Sequence, residues 1–378
     1  MNAIGIVAEY DPFHKGHQYH IAATRAALGE DLPVVCAMSG NWTQRGSAAL
    51  TDKWTRARLA LQGGADLVLE LPTPWAAASA ERFARGAVEL LGKTGVVDIL
   101  SFGSESGDLT ELRRAADAIE APNYPDRLRR GLEKGLSYAA ARAEAAGCSC
   151  LDTPNNNLAV EYLRAIDSMG FTMTPITVQR AGDGHNTAVS GTGYASASAI
   201  RDLLRAGEEE AFQWLPEGSR EVLAGELASL ARAFPAILAR LRTMSPEELA
   251  RIPDCSEGLE NRILEMAGKA TTLEELYDLA KSKRYAHARI RRVVLRAFLG
   301  LYEIPDEIPY LRVLGMTARG RELLKQMKKQ DLPIITKTAQ WKDHPLLQAE
   351  ARYTDLYALC FEKPRPSGLE WTRSPVIL

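Results

Sequence analysis

Two histidines, His14 and His17, bracket Lys15 and Gly16 in the stretch Glu9-Tyr10-Asp11-Pro12-Phe13-His14-Lys15-Gly16-His17, directly after the apolar run Ile4-Gly5-Ile6-Val7. Imidazoles three residues apart across a helix start can both donate to phosphoryl oxygens. Gly16 removes a side chain where phosphate or purine approaches the backbone, and the first turn adds free N–H groups and a positive dipole end. Such a turn would hold a triphosphate and stabilise charge on the α-phosphate while pyrophosphate leaves in line. A bare four-residue match recurs by chance, and alone it reads as polar residues in a strand-to-helix turn. Metal binding by His14, His17 and His20 is weaker still, because no Cys, Asp or Glu stands at zincin spacing.

A second polar cluster, Ser196-Ala197-Ser198-Ala199-Ile200-Arg201, opens a helix late in the same half of the chain. Ser196, Ser198, the first amides and the Arg201 fork can grip β- and γ-phosphates. Alone, it is a Ser N-cap with a solvated arginine. What must position both clusters is a sheet. Runs at 4–7, 33–38, 66–70 and 96–102 are continuously apolar, as buried parallel strands are, with helical patterns at 17–28, 52–63 and 79–92 between them. That order predicts an α/β fold, a Rossmann-like doubly wound parallel sheet of nucleotidyltransferase type, and places the histidine turn at its ligand-binding crevice. Two helices are expected between 108 and 147, then a helix near 156–169, a strand over 172–179 and a mobile Gly/Asp/Asn/Ser-rich loop over 181–195. Beyond 210 helical periodicity dominates, apart from a short strand at 332–335. The expected organisation is therefore an ATP-binding domain over 1–210 and a mainly α-helical domain over 211–378.

The two clusters together are shared by adenylyl-transferring nucleotidyltransferases. Within that superfamily the chain closely resembles the tRNA(Met) cytidine acetate ligases over almost its whole length. The stretches that carry the likeness are 7–20, Ser39-Gly-Asn-Trp-Thr-Gln-Arg-Gly46, Asp66-Leu-Val-Leu-Glu-Leu-Pro72, Ser101-Phe-Gly-Ser-Glu105, Pro154-Asn-Asn-Asn-Leu-Ala-Val-Glu-Tyr-Leu163 and Glu257-Gly-Leu-Glu-Asn-Arg262. The resemblance implies that acetate and ATP form acetyl-adenylate, and that the acetyl group passes to N4 of the wobble cytidine of elongator tRNA(Met). It also implies that His14 and His17 act at the reacting phosphate. ATP would be held by Val7, Ala8, Glu9, Tyr10, Asp11, Pro12, Phe13, Lys15, Gly16, Gln18, Tyr19 and His20, with Gly103, an Asn of 155–157 and Arg180. Asn156 is preferred over Asn155. Asn157 and Ala159 replace an expected Ile and Gly, and Ala181–His185 is a variant of the family's stretch there. Mg²⁺ is expected with ATP, and Asp11 is either its outer-sphere contact or a turn-former before Pro12. The loop over 181–195 would serve as a lid that keeps water from the acyl phosphate.

The remaining composition limits the partners. Net charge is only −2, so RNA must be met by a local patch. Residues 281–296 hold seven Lys or Arg and no acid. Lys281, Lys283 and Arg284 precede a helix on which Arg289, Arg292 and Arg296 share a face able to follow a phosphate backbone. A solvated basic face is the competing view. Arg319, Arg321, Lys325, Lys328 and Lys329 form a second patch, and Gln44 and Arg45 can touch substrate or RNA. There is no signal peptide, no apolar run of ~20 residues and no regular cysteine framework among five cysteines, so a soluble cytoplasmic protein with reduced thiols is expected. Two other functions remain open: a small-molecule adenylyltransferase of the same fold, and a non-catalytic RNA-binding protein with a relic nucleotide site.

Overall fold

The computed structural model describes residues 2–180 and 194–378. The stretch 181–195, expected to be a mobile lid, falls outside them except for its last two residues. The apolar runs form β1 (Ala3–Ala8), β2 (Val34–Ser39), β3 (Leu67–Leu71) and β4 (Val97–Ser104), and the strand expected over 172–179 is β5 (Thr174–Gln179). Helices α1 (Lys15–Leu28), α2 (Lys53–Gln62) and α3 (Ala80–Gly92) connect the first four strands, α4 (Pro154–Met169) precedes β5, and α5 (Ala197–Ala206) follows it. These strands are parallel in the order β5-β4-β1-β2-β3, the doubly wound arrangement. The winding reverses at β1, which has β2 on one side and β4 on the other. The crevice outside the C-terminal ends of β1 and β4 is where such sheets take ligands. Between β4 and β5 there are three helices before α4, at 109–120, 124–133 and 138–146, rather than two.

Residues beyond 211 do not stay apart from this sheet. A strand that the sequence did not suggest, β6 (Leu311–Met316), pairs antiparallel with β3, and β7 (Ile334–Ile335) and β8 (Val376–Ile377) pair with β6. The boundary near 210 therefore does not divide the sheet, whose far edge comes from the end of the chain. The helices of 234–299 bury a core of their own. It includes Ile237, Leu241 and Leu276 with Ile290 and Val293 of α6 (His287–Leu299), and Trp42 enters it from the loop after β2. Among the described residues no helix is long and apolar enough to cross a membrane.

Arg312 is why β6 is hard to read in sequence: a charged residue interrupts an otherwise apolar run. It is buried against Glu70 (2.7 Å) and Glu370. Lys53 completes the cluster, 2.6 Å from Glu70 and 2.9 Å from Glu370. Burial, then the charge of Arg312, pushes Lys53 down to about 8. Burial works to raise Glu70, but Arg312 and Lys53 outweigh it and hold the carboxyl below its ordinary value. Two cations thus balance two carboxylates between the sheet and the C-terminal segment, and removing one partner is far costlier than the pairing is stabilising. Arg312→Met is expected to cost about 3–5 kcal/mol. Denaturant unfolding measures this, and a loss below about 1 kcal/mol contradicts the cluster's role.

Candidate active site

After β1 the chain climbs over the sheet edge before α1 begins. Tyr10 sits there at φ 47, a left-handed conformation that a bulky residue keeps only under firm packing. Its buried ring meets Phe13 and His17 edge-on, at 4.8 Å between centroids in each case, and its hydroxyl lies 3.5 Å from Cys36 Sγ. Arg56, buried on α2, donates to the carbonyls of Glu9, Ser39 and Gly40 and so ties the ends of β1 and β2 together. No sequence signal separates Arg56 from an ordinary helical arginine.

His14 is the N-cap of α1. Its Nδ1 accepts the Gly16 N–H at 3.0 Å, while its own N–H donates to Nδ1 of His17 at 3.2 Å. This is a capping box in which both side chains are imidazoles. Because each Nδ1 accepts, each neutral ring carries its proton on Nε2, turned away from the helix's own backbone. The rings stack with centroids 3.7 Å apart. Burial, with the charges of Arg180 and Arg201, lowers His14 to about 3; burial and its neighbour His14 hold His17 well below its ordinary value. The pair therefore offers neutral N–H donors rather than cations. A Cβ at Gly16 would lie 2.8 Å from His14 Cε1, so the ring above it already demands glycine, whatever ligand approaches.

Of the Ser196–Arg201 cluster, Arg201 reaches this turn. Ser196 Oγ accepts the Ala199 N–H at 3.2 Å and lies 3.0 Å from Ser198 Oγ, capping α5. Arg201 donates to the Asp11 carbonyl at 2.7 Å and stands 3.7 Å from its carboxylate. The other carboxylate oxygen of Asp11 accepts the Leu50 N–H at 2.6 Å. Glu9 accepts the Gln44 N–H at 2.6 Å, and burial raises its pKa against that bond. Gln44 thus meets the crevice through its backbone, its amide being held by the Ala78 carbonyl at 3.1 Å.

On the β4 side, Arg180 continues the ladder, its N–H donating to Ser104 O at 2.9 Å, and a Cβ on Gly103 would lie 3.3 Å from its Cγ. The two candidate asparagines have different partners. Asn156 is buried and spends its Oδ1 on the N–H groups of Glu105 and Ser106 (2.9 and 3.2 Å), whereas Asn155 Oδ1 accepts from Arg180 at 3.4 Å. His20 Nε2 lies 2.9 Å from Ser101 Oγ on β4. Pro12 and Phe13 are buried in the turn, Val7 and Ala8 are half-buried at the end of β1, and Lys15, Gln18 and Tyr19 remain at the surface.

The expected RNA stripe on α6 needs correction. Arg296 is fully buried, donating to the carbonyls of Ala77 (2.9 Å) and Pro253 (2.8 Å) and to Asp254 (3.0 Å). Arg289 clasps the 254–257 turn through Asp254 O, Glu257 and Ser256, each at 2.8 Å, and Arg292 lies 3.5 Å from Asp254. That face braces a turn in which Asp254 and Glu257 both adopt left-handed φ (67 and 65). Lys281, Lys283, Arg284 and Arg291 are exposed. Gly46 lies against the backbone of Arg291 and Arg292, so the loop carrying Gln44 and Arg45 links the crevice to α6. The second basic patch sits at the opposite end of the sheet: Arg319 pairs with Asp31, ahead of β2, and Gln330 packs on Gly95, ahead of β4. Cys148 and Cys150 lie side by side with the Glu111 carboxylate next to them, while Cys36, Cys255 and Cys360 are free and buried.

Residues 1–370 match the family model for the HIGH Nucleotidyl Transferases. A tRNA(Met) cytidine acetate ligase of Thermoanaerobacter sp. is 37% identical, the match covering 98% of each chain, and one of Clostridium perfringens is 38% identical over 95% of each. The crystal structure of Thermotoga maritima TmcAL bound with alpha-thio ATP superimposes at a TM-score of 0.90, and the apo form at 0.92, with 32% and 31% identity and full coverage of both chains. The chain belongs to the tRNA(Met) cytidine acetate ligase family. Within that family its histidine turn has a titration consequence. Nδ1 of neither ring can take a proton without facing a backbone N–H, so stability linked to His14 is complete above about 6.5 and is lost as pH falls through about 3. Nitrogen NMR is expected to show His14 as the Nε2–H tautomer, unchanged between about pH 8 and 5.5; a His14 titration near 6.5 contradicts the geometry.

Proposed function

We propose that the protein joins acetate to ATP as acetyl-adenylate and passes the acetyl group to N4 of the wobble cytidine of elongator tRNA(Met). The observation that carries this is the His14–His17 capping box, which spends both Nδ1 atoms on the backbone and leaves two Nε2–H donors to face a ligand at the reversal point of the sheet. The chain around it aligns end to end with ligases of that name. An acetate oxygen attacks the α-phosphorus, the bond to the bridging β-phosphate oxygen breaks, and pyrophosphate leaves. His14 and His17 donate to oxygens whose charge grows in that step, and Arg201, Arg180 and the Ser196–Ser198 cap hold the rest of the nucleotide. The cytidine amine then attacks the acetyl carbonyl, AMP departs and the nitrogen sheds a proton. Asp11 Oδ1 accepts the Leu50 N–H, while Oδ2 stands 3.7 Å from Arg201 and would serve Mg²⁺ through a bridging water. The ion enters as the counter-ion of ATP, in the cytoplasm where ATP and tRNA are both available.

Mass spectrometry of tRNA(Met) incubated with the protein, ATP and labelled acetate tests the proposal. One acetyl group on the wobble cytidine is expected; an unlabelled tRNA alongside a small adenylylated product favours the small-molecule enzyme instead. His14→Ala is expected to abolish acetate-dependent pyrophosphate release and to cost about 1 kcal/mol of stability through the lost cap. His14→Asn restores the cap but not the activity, and recovery of both by Asn removes the imidazole from the mechanism. For the RNA, reversing Lys281, Lys283, Arg284 and Arg291 to Glu is expected to weaken tRNA binding at least tenfold in filter binding while acetyl-adenylate forms normally. Unchanged tRNA affinity contradicts an RNA path over this surface.

A further inference from the structure

Glu105 follows β4 at the lip of the crevice, and its carboxylate reaches the first turn of α4. Oε1 accepts from Asn155 twice, from Nδ2 at 2.6 Å and from the backbone N–H at 3.3 Å, and Oε2 accepts the Asn156 N–H at 2.8 Å. Asn156 returns bonds to the N–H groups of Glu105 and Ser106, so the tip of β4 and the start of α4 close on each other. Burial works to raise the Glu105 pKa, but the bonds from Asn155 and Asn156 outweigh it, and the carboxyl lies below its ordinary value. It is ionised at neutral pH and has only acceptors to offer.

A primary amide has a donor end and an acceptor end, and a carboxylate can satisfy only the donor. Asn155 must therefore give its NH₂ to Glu105 and turn its oxygen outward. That oxygen is the atom that accepts from Arg180. We infer that Glu105 is a positioning residue for the nucleotide: by fixing which way the Asn155 amide points, it sets the Arg180 guanidinium, whose aliphatic stem lies along Gly103. This rests on the assignment of Arg180 to the nucleotide under the proposed function. A glutamine at 105 can donate as well as accept, which lets the Asn155 amide turn over and aim its NH₂ at the guanidinium, donor against donor.

Acetate-dependent ATP–pyrophosphate exchange by the full-length enzyme tests the inference with Glu105→Gln, Arg180→Ala and the double variant. Glu105→Gln is expected to raise KM for ATP about tenfold, equivalent to ~1.4 kcal/mol, with kcat changed less than about twofold. In the Arg180→Ala background the same substitution is expected to change KM by less than about twofold, because the group it acts through is gone. Asn155→Ala breaks the same link while leaving the Glu105–Asn156 bonds, and it is expected to reproduce the rise without lowering the melting temperature appreciably. Equal KM factors in both backgrounds, or an unchanged KM in Glu105→Gln, overturn the inference. An Arg180→Ala enzyme with unaltered KM fails one step earlier, at the assignment of Arg180 to the nucleotide, and takes the inference with it.

Discussion

Each histidine of the turn has two nitrogens, and the one committed to the backbone decides what the other can do. His14 and His17 both spend Nδ1 on N–H groups of the helix start. The proton must then sit on Nε2, the ring is kept neutral by burial, and the spacing of the two donors is set by the helix itself. Capping and phosphate recognition are thus one arrangement. The helix is properly begun only when the donors are correctly aimed, so little reorganisation is left for the moment of reaction. The same economy explains Gly16, whose missing side chain makes room for the ring that caps it.

Around that turn the fold places struts rather than further chemistry. Arg56 ties the ends of β1 and β2 through three carbonyls, and Arg201 ties α5 to Asp11. Arg296 reaches from α6 to the Ala77 carbonyl and so joins the helical core to the sheet. At the far edge Lys53 and Arg312 neutralise Glu70 and Glu370 and let a strand from residue 311 complete a sheet begun at residue 3. Apart from Arg201, these charges are deeply buried and so specify partners: each has a counter-charge or a carbonyl at hydrogen-bond distance.

The parts legible in the sequence were those with a local period or a local motif. Continuous apolar runs located β1 to β4, and the strand-to-helix context located the histidine turn and, with it, the crevice. What escaped was set by tertiary partners. β6 was hidden by Arg312, whose charge is tolerable only because Glu70 and Glu370 lie across from it. Arg289, Arg292 and Arg296 share a helix face as their spacing predicts, but that face meets Asp254 and Glu257 instead of solvent, and periodicity cannot distinguish a brace from a binding stripe. Asn155 and Asn156 are adjacent and alike; only the position of Glu105 decides which amide turns inward.

The central claim is that paired neutral imidazoles at the end of β1 hold the triphosphate. A crystal structure of this chain with a non-hydrolysable ATP analogue tests it most directly. The account predicts Nε2 of His14 and of His17 each within about 3.2 Å of a phosphate oxygen, with the Nδ1 bonds to the backbone intact. A nucleotide bound away from α1, or rings that release the backbone and turn from the phosphates, would contradict it.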